Sequence, residues 1–298
     1  MAKQPTVYKQ TLPTGATLKV FRATEEKANG KAVIIIPGGG YSYVAGSYEG
    51  SDWAPLFLDL GFTAAVLTYN LPHGNPEIPL ADGRAALQYL RDNAEDLRIN
   101  PDLIGVMGFS AGGHLASTIA THLTGDELPA FQILFYPVIT MESRNTHAGT
   151  CQNLLGDNPS NEMVLLYSNE KQVSSETPIA YLSWATDDST VKPINSTKYR
   201  AALKNAGVDV TYKTYSSGGH GFGFSTSFKF HDTMVDHLTS WLEGLDDKIT
   251  GISLTQPSDE ALLHGRHAQA LYDLFGRRLS SIRGAGIYIV AGKKLLVR

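Results

Sequence analysis

The sequence has a single cysteine, Cys151, in 298 residues. That excludes an internal disulfide framework and any Cys-rich zinc site, and it leaves the redox compartment open. No apolar run approaches the roughly 20 residues that a membrane-spanning helix needs. Charge is also sparse: 18% of residues are Asp, Glu, Lys or Arg, with a formal net charge of -4. So mild an acidity gives no electrostatic pull toward nucleic acid or an anionic membrane. The nine histidines and 14 tyrosines are scattered without the internal period of a solenoid. Met1 to Gln10 is polar and lacks the hydrophobic core of a signal peptide. The expectation is therefore either a cytoplasmic protein or one whose leader is removed ahead of this sequence. What remains is an ordinary globular chain, long enough for one large α/β domain and a small appendage.

From about Thr17, short β-branched runs alternate with longer amphipathic stretches. Ala32 to Ile36, Thr63 to Tyr69, Leu103 to Met107, Phe131 to Tyr136, Ile179 to Trp184 and Val210 to Tyr215 are near-continuous apolar runs, the mark of strands buried on both faces. Between them, helices are predicted over Asp52 to Leu60 with Asp52 as N-cap, Leu80 to Asn93, Ala111 to Leu123, Ile194 to Ala206 and Phe228 to Leu242. In the second of these, Leu80, Ala81, Ala85, Leu87 and Leu90 form the apolar stripe. Strand–helix alternation over more than 200 residues predicts an α/β, mostly parallel, doubly wound sheet. Asp246 to Glu260 is polar and reads as a linker, and Gly286 to Arg298 reads as two β-rich runs joined by Ala-Gly-Lys-Lys. The predicted organisation is a catalytic domain over 1–245 and a linker with a β-rich tail over 246–298.

The strongest local signal is Gly108-Phe109-Ser110-Ala111-Gly112, directly after a buried strand and at the start of a helix. This is a nucleophile elbow: the tight turn strains the serine backbone, and the flanking glycines keep side chains from colliding there. The helix N-terminus adds free N–H groups and positive potential. Pro37-Gly38-Gly39-Gly40 leaves the neighbouring strand as a glycine run, so the amides of Gly39 or Gly40, with that of Ala111, are the candidate oxyanion hole. The order Ser, acid, His then points to Asp187 or Asp188 after the strand ending at Trp184, and to His220 in Gly218-Gly219-His220-Gly221-Phe222-Gly223. Asp188 is preferred because Val191, three residues on, is placed to close the turn; Asp187 then reads as a solvated or loop-capping carboxylate. His114, His122, His231 and His237 are assigned packing or surface roles, with no metal site. Tyr41, Tyr43, Tyr48 and Trp53 cluster after the glycine run, with Tyr41 and Trp53 as candidate substrate contacts and packing over the site as the alternative.

Residues from about Lys31 to Phe224 resemble the feruloyl/acetyl-xylan esterase group of α/β-hydrolases found in gut Bacteroidetes. The matching stretches are Pro37 to Tyr41 (PGGGY), Tyr48 to Gly50 (YEG), Met107 to Ala116 (MGFSAGGHLA), Tyr136 to Met141 (YPVITM), Leu154 to Gly156, Ala185 to Ser196 (ATDDSTVKPINS) and Gly218 to Gly223 (GGHGFG). The resemblance implies an α/β-hydrolase fold, the second of the two aspartates as triad acid, no cofactor, and an acetylated or feruloylated xylan or xylo-oligosaccharide as substrate. Tyr272 to Leu279 followed by Gly286 to Arg298 is similar to the C-terminal tails of secreted Bacteroidetes proteins, which implies a periplasmic or extracellular location. A small-ester deacylase or formamidase is the enzymatic rival, and a non-catalytic carbohydrate-binding protein on the same fold is the rival of another class.

Overall fold

The computed structural model describes residues 5–250, 271–273, 278–279, 286–290 and 293–297. The chain divides into two compact units, Met1–Trp241 and Leu242–Arg298.

The first unit is an eight-stranded sheet: β1 Thr6–Thr11, β2 Thr17–Arg22, β3 Gly30–Ile36, β4 Thr63–Thr68, β5 Ile99–Phe109, β6 Phe131–Phe135, β7 Ile179–Ala185 and β8 Val210–Tyr215, in the order β1-β2-β4-β3-β5-β6-β7-β8. β1 and β2 pair antiparallel, β2 joins β4 antiparallel, and every later pairing is parallel. The helices are α1 Ala54–Asp59, α2 Glu77–Asp92, α3 Ala94–Leu97, α4 Ser110–His122, α5 Ala148–Leu155, α6 Asn161–Leu166, α7 Ile194–Asn205 and α8 His231–Glu243.

The central strands follow from composition. Ile34, Ile35 and Ile36 of β3 are fully buried, and each contributes about 1.5–3 kcal/mol by leaving water. α4 is covered all round, with every residue from Ser110 to Ala120 buried. After β3 the chain winds toward β4, and after β5 it winds toward β6, so the connections leave in opposite directions from two adjacent strands. At such a switch point the loops beyond the strand ends open a crevice. The glycine run after β3 and the elbow after β5 both lie there.

Four expectations need correction. β8 is an edge strand, and its Tyr212 is 46% exposed; its β-rich composition reflects sheet pairing rather than two-sided burial, and the Arg200 guanidinium lies over the Tyr212 ring at 4.2 Å. Asp52 does not cap α1. It lies in a 3₁₀ turn, Ser51–Trp53, and accepts from Ser47 Oγ at 3.0 Å, while Pro55 at the start of α1 supplies the helical φ. In α2 the buried stripe takes Ala86 with Leu87, and Ala81 and Ala85 are only half-buried. The polar stretch after Leu245 begins as a helix, α9 Leu245–Thr250, with Asp246 and Asp247 in its first turn and Lys248 in its last, an arrangement that suits the helix dipole. Residues 251–260 of the expected linker lie outside the described residues.

In the second unit, β9 Leu271–Asp273, β10 Arg278–Leu279, β11 Gly286–Val290 and β12 Lys293–Val297 form an antiparallel sheet in the order β10-β9-β11-β12. β11 and β12 are the expected hairpin, with both lysines inside β12 rather than in the turn.

Candidate active site

Ser110 sits at the tip of β5 with φ 51, in the left-handed region that non-glycine residues rarely occupy. The turn is held because its neighbours have no side chains. A Cβ on Gly112 would lie 2.2 Å from the Ile36 carbonyl oxygen and 2.3 Å from that of Pro37, so the start of α4 packs directly against the end of β3. One on Gly38 would lie 2.9 Å from Ser110 Cβ. The glycine run therefore runs alongside the serine. Gly39 and Gly40 both have positive φ, and among the described residues their amides donate to no protein group. The Ala111 amide lies in the first turn of α4, where no helical acceptor exists.

His220 Nε2 lies 2.8 Å from Ser110 Oγ, and His220 Nδ1 lies 2.7 Å from Asp188 Oδ2. Asp188 is 4% exposed, and its other oxygen accepts from the amides of Thr190 and Val191, each at 2.9 Å. Buried Val191 thus closes the turn in the way the spacing predicts. Asp187 points elsewhere, accepting from the amides of Gly218 at 3.2 Å and Gly219 at 2.9 Å. It caps the base of the His220 loop. The far side of that loop is pinned by Phe222, stacked on Phe228 at 4.2 Å and edge-on to Tyr136 at 4.6 Å.

The aromatic cluster resolves into different roles. Trp53 is fully buried between Phe109, Phe135 and Phe224, and its indole N–H donates to the Tyr48 carbonyl. It is core, a correction to its reading as a substrate contact: a large ring two turns beyond a glycine run was pulled inward by three phenylalanines. Tyr41 is 2% exposed and bonds to His114 Nδ1 at 3.1 Å, yet it borders a cavity of about 460 Å³ together with Ser42, His73, Gln152, Asn153 and Asp157. Tyr43 and Tyr48 are the exposed members.

Sequence reasoning missed the roles of Asn153, His147, Tyr69, Glu49 and Tyr136. Asn153 Nδ2 donates to the Gly40 carbonyl at 2.8 Å, and its own carbonyl accepts from Gly74 at 2.9 Å, so α5 holds two walls of that cavity. His147, N-cap of α5, accepts from the Thr150 amide. Burial and the neighbouring His220 push its pKa down. Tyr69 donates to the Gly38 carbonyl at 3.2 Å. Glu49, 3% exposed, accepts from the Gly38 amide at 2.9 Å and from the Tyr136 hydroxyl at 2.8 Å. None carries a local signal beyond the YEG and YPVITM matches: the partners of Asn153, Tyr69, Glu49 and Tyr136 are distant in sequence, and His147 caps α5 with a side chain that does not mark helix starts. Among the described residues, no group of three His, Cys, Asp or Glu side chains is placed to hold a metal ion, and no helix is long and apolar enough to cross a membrane.

His114, behind the elbow, is fully buried, with Nδ1 facing the Tyr41 hydroxyl and Nε2 facing the Tyr167 carbonyl at 2.8 Å. Burial pushes its pKa from 6.5 down to about 4. Its folded value lies below its unfolded one, so the neutral ring's stabilisation is complete above pH 6.5 and is lost as pH falls toward 4. The total is about 3 kcal/mol. Urea unfolding at stepped pH is expected to show this decline, and His114→Gln is expected to remove that share of the slope. An equal slope in the variant would contradict the assignment.

The chain matches the BD-FAE family over residues 18–203. An acetylxylan esterase of Xylanibacter ruminicola is 38% identical over 258 residues, covering 84% of this chain and 51% of that protein. Endo-1,4-beta-xylanase B of Butyrivibrio fibrisolvens is 35% identical, covering 63% of this chain and 32% of that protein. This chain therefore spans about a third to a half of the length of these curated relatives. Among solved structures, an acetyl ester-xyloside bifunctional hydrolase from Caldicellulosiruptor lactoaceticus superposes with a TM-score of 0.72 at 32% identity, covering 78% of this chain and 89% of that one. MGS-M1, an α/β hydrolase enzyme from a Medee basin deep-sea metagenome, superposes with a TM-score of 0.64 at 30% identity, covering 83% and 98%. The sheet order, the serine at the strand tip and the matched span agree: the chain belongs to the BD-FAE family, on an α/β-hydrolase fold.

Proposed function

We propose that the chain is a serine carboxylesterase that removes acyl groups, acetyl foremost, from xylan or xylo-oligosaccharides. The observation that carries this reading is His220, bonded at once to Ser110 Oγ and to Asp188 Oδ2. Asp188 fixes the tautomer with Nδ1 protonated, so Nε2 is free to take the serine proton. Ser110 Oγ attacks the ester carbonyl as that proton passes to His220, and the amides of Gly39 or Gly40 with Ala111 receive the oxyanion. Collapse breaks the bond to the sugar oxygen, which takes the proton from His220 and leaves. Water, deprotonated by His220, then attacks the acyl-enzyme, and acetate and Ser110 are released.

The substrate class rests on the relatives that are an acetylxylan esterase and an acetyl ester-xyloside hydrolase. The cavity beside Tyr41 and Ser42 supports it: hydroxyl, imidazole, carboxamide and carboxylate groups at its rim suit a polyhydroxylated ring. Where the substrate is polymeric xylan, the same reading places the work outside the cytoplasm, because the polymer does not enter cells. Mass spectrometry of acetate and ferulate released from native xylan tests it. Acetate release is expected, with or without ferulate. Hydrolysis of nitrophenyl acetate with no acyl release from xylan or xylo-oligosaccharides would leave a small-ester deacylase, and inactivity on both would leave a binding protein.

A further inference from the structure

We propose that Glu49 is a positioning residue: its buried carboxylate ties the oxyanion loop to the His220 loop and lends His220 a second negative charge during acyl transfer. The inference rests on the esterase reading of Ser110 and His220 and adds a residue to it.

The geometry is a continuous chain of bonds. Glu49 Oε2 accepts from the Gly38 amide at 2.9 Å, and Gly38 packs against Ser110. Glu49 Oε1 accepts from the Tyr136 hydroxyl at 2.8 Å, and that hydroxyl accepts from the Gly223 amide at 2.9 Å, three residues after His220. The Tyr136 ring stands edge-on to the His220 ring at 4.8 Å between centroids. Tyr136 is itself held at φ 35, a conformation costly for a tyrosine. Glu49 and Tyr136 together therefore join three loops that leave three different strands, those after β3, β6 and β8, which carry the oxyanion donors, Tyr136 and the base.

A carboxylate is an expensive tie if a tie is all that is needed. Burying a charge costs several kcal/mol unless its partners compensate, and a glutamine could accept from Gly38 without that cost. Both Glu49 oxygens act as acceptors, as an ionised group requires. Burial outweighs the rest and raises its pKa above the ordinary carboxylate value, and the bonds from Tyr136 and Gly38, with the charge of His220, limit that rise. Around His220 the titratable groups are Asp188 on Nδ1, Tyr136 edge-on to the ring, Asp187 at the loop base, and His147 and Glu49, each coupled to it electrostatically. Around Glu49 they are Tyr136, Tyr48 and Tyr69 besides His220. An anion there favours the imidazolium that forms as Ser110 gives up its proton.

The test compares three variants on nitrophenyl acetate. Glu49→Gln keeps size and removes charge, and is expected to lower kcat about 10- to 100-fold with KM within about threefold. Its acid limb of kcat/KM is expected to move to lower pH by roughly half a unit or more, since the imidazolium loses an attracting charge. Tyr136→Phe keeps the charge and breaks the bridge, so kcat is expected to fall about tenfold with a smaller movement of that limb. Glu49→Asp is expected to restore the limb without restoring the rate. An unmoved acid limb in Glu49→Gln would overturn the proposal and leave Glu49 as packing. Should that variant fail to fold, a Tyr136→Phe enzyme at wild-type rate would overturn it equally. Failure of the esterase reading is distinguishable, because the wild-type chain would then not turn over nitrophenyl acetate at all.

Discussion

Ser110→Ala is expected to lower turnover of a small acetyl ester by about three to six orders of magnitude while leaving the fold intact. The serine Oγ provides the atom to which the acyl group is transferred, so nothing nearby substitutes for it. The remaining rate comes from the oxyanion donors and binding alone. Stability should change little, because alanine meets the same φ of 51 as serine and the Ser110 carbonyl still accepts from Val138 at 3.0 Å. Circular dichroism and thermal unfolding separate the two effects. Activity above a tenth of wild type would remove Ser110 from its role.

The second large effect distinguishes adjacent aspartates. Asp188→Asn is expected to cost about two to four orders of magnitude in kcat. The asparagine oxygen stays with the Thr190 and Val191 amides, which leaves its NH₂ group facing His220 Nδ1. Two donors cannot face each other, so the ring adopts the tautomer with its hydrogen on Nε2 and no longer accepts from Ser110. Asp187→Asn is expected to cost less than about tenfold, because an amide oxygen can still accept from Gly219. Equal losses from the two substitutions, or a larger one from Asp187, would reverse the assignment.

The parts of this site that were legible in the sequence share one property: they depend on local chain geometry. The elbow is five consecutive residues between a strand and a helix, and Asp188 announces itself through Val191 three positions later. His220 stands among glycines after the last core strand. Glu49 and Tyr136 were illegible because they are 87 residues apart, and only the folded sheet makes them neighbours. An acid between Tyr48 and Gly50 otherwise looks like any exposed loop residue. α5 was missed for another reason. It is eight residues long and capped by a histidine, outside the Ser, Thr, Asp and Asn set that marks helix starts. Trp53 failed in the opposite direction: its position after the glycine run pointed to the site, while burial against Phe109, Phe135 and Phe224 decided its place.

On the proposed mechanism Ser110 is an activated nucleophile with His220 as its base. Reaction with a fluorophosphonate followed by peptide mass spectrometry tests it most directly, because the reagent forms a stable adduct only with a serine that can be deprotonated in place. The expected result is one adduct per chain, on the peptide carrying Ser110, and its loss in His220→Ala. An adduct on another residue, or labelling of Ser110 undiminished in His220→Ala, would contradict the claim.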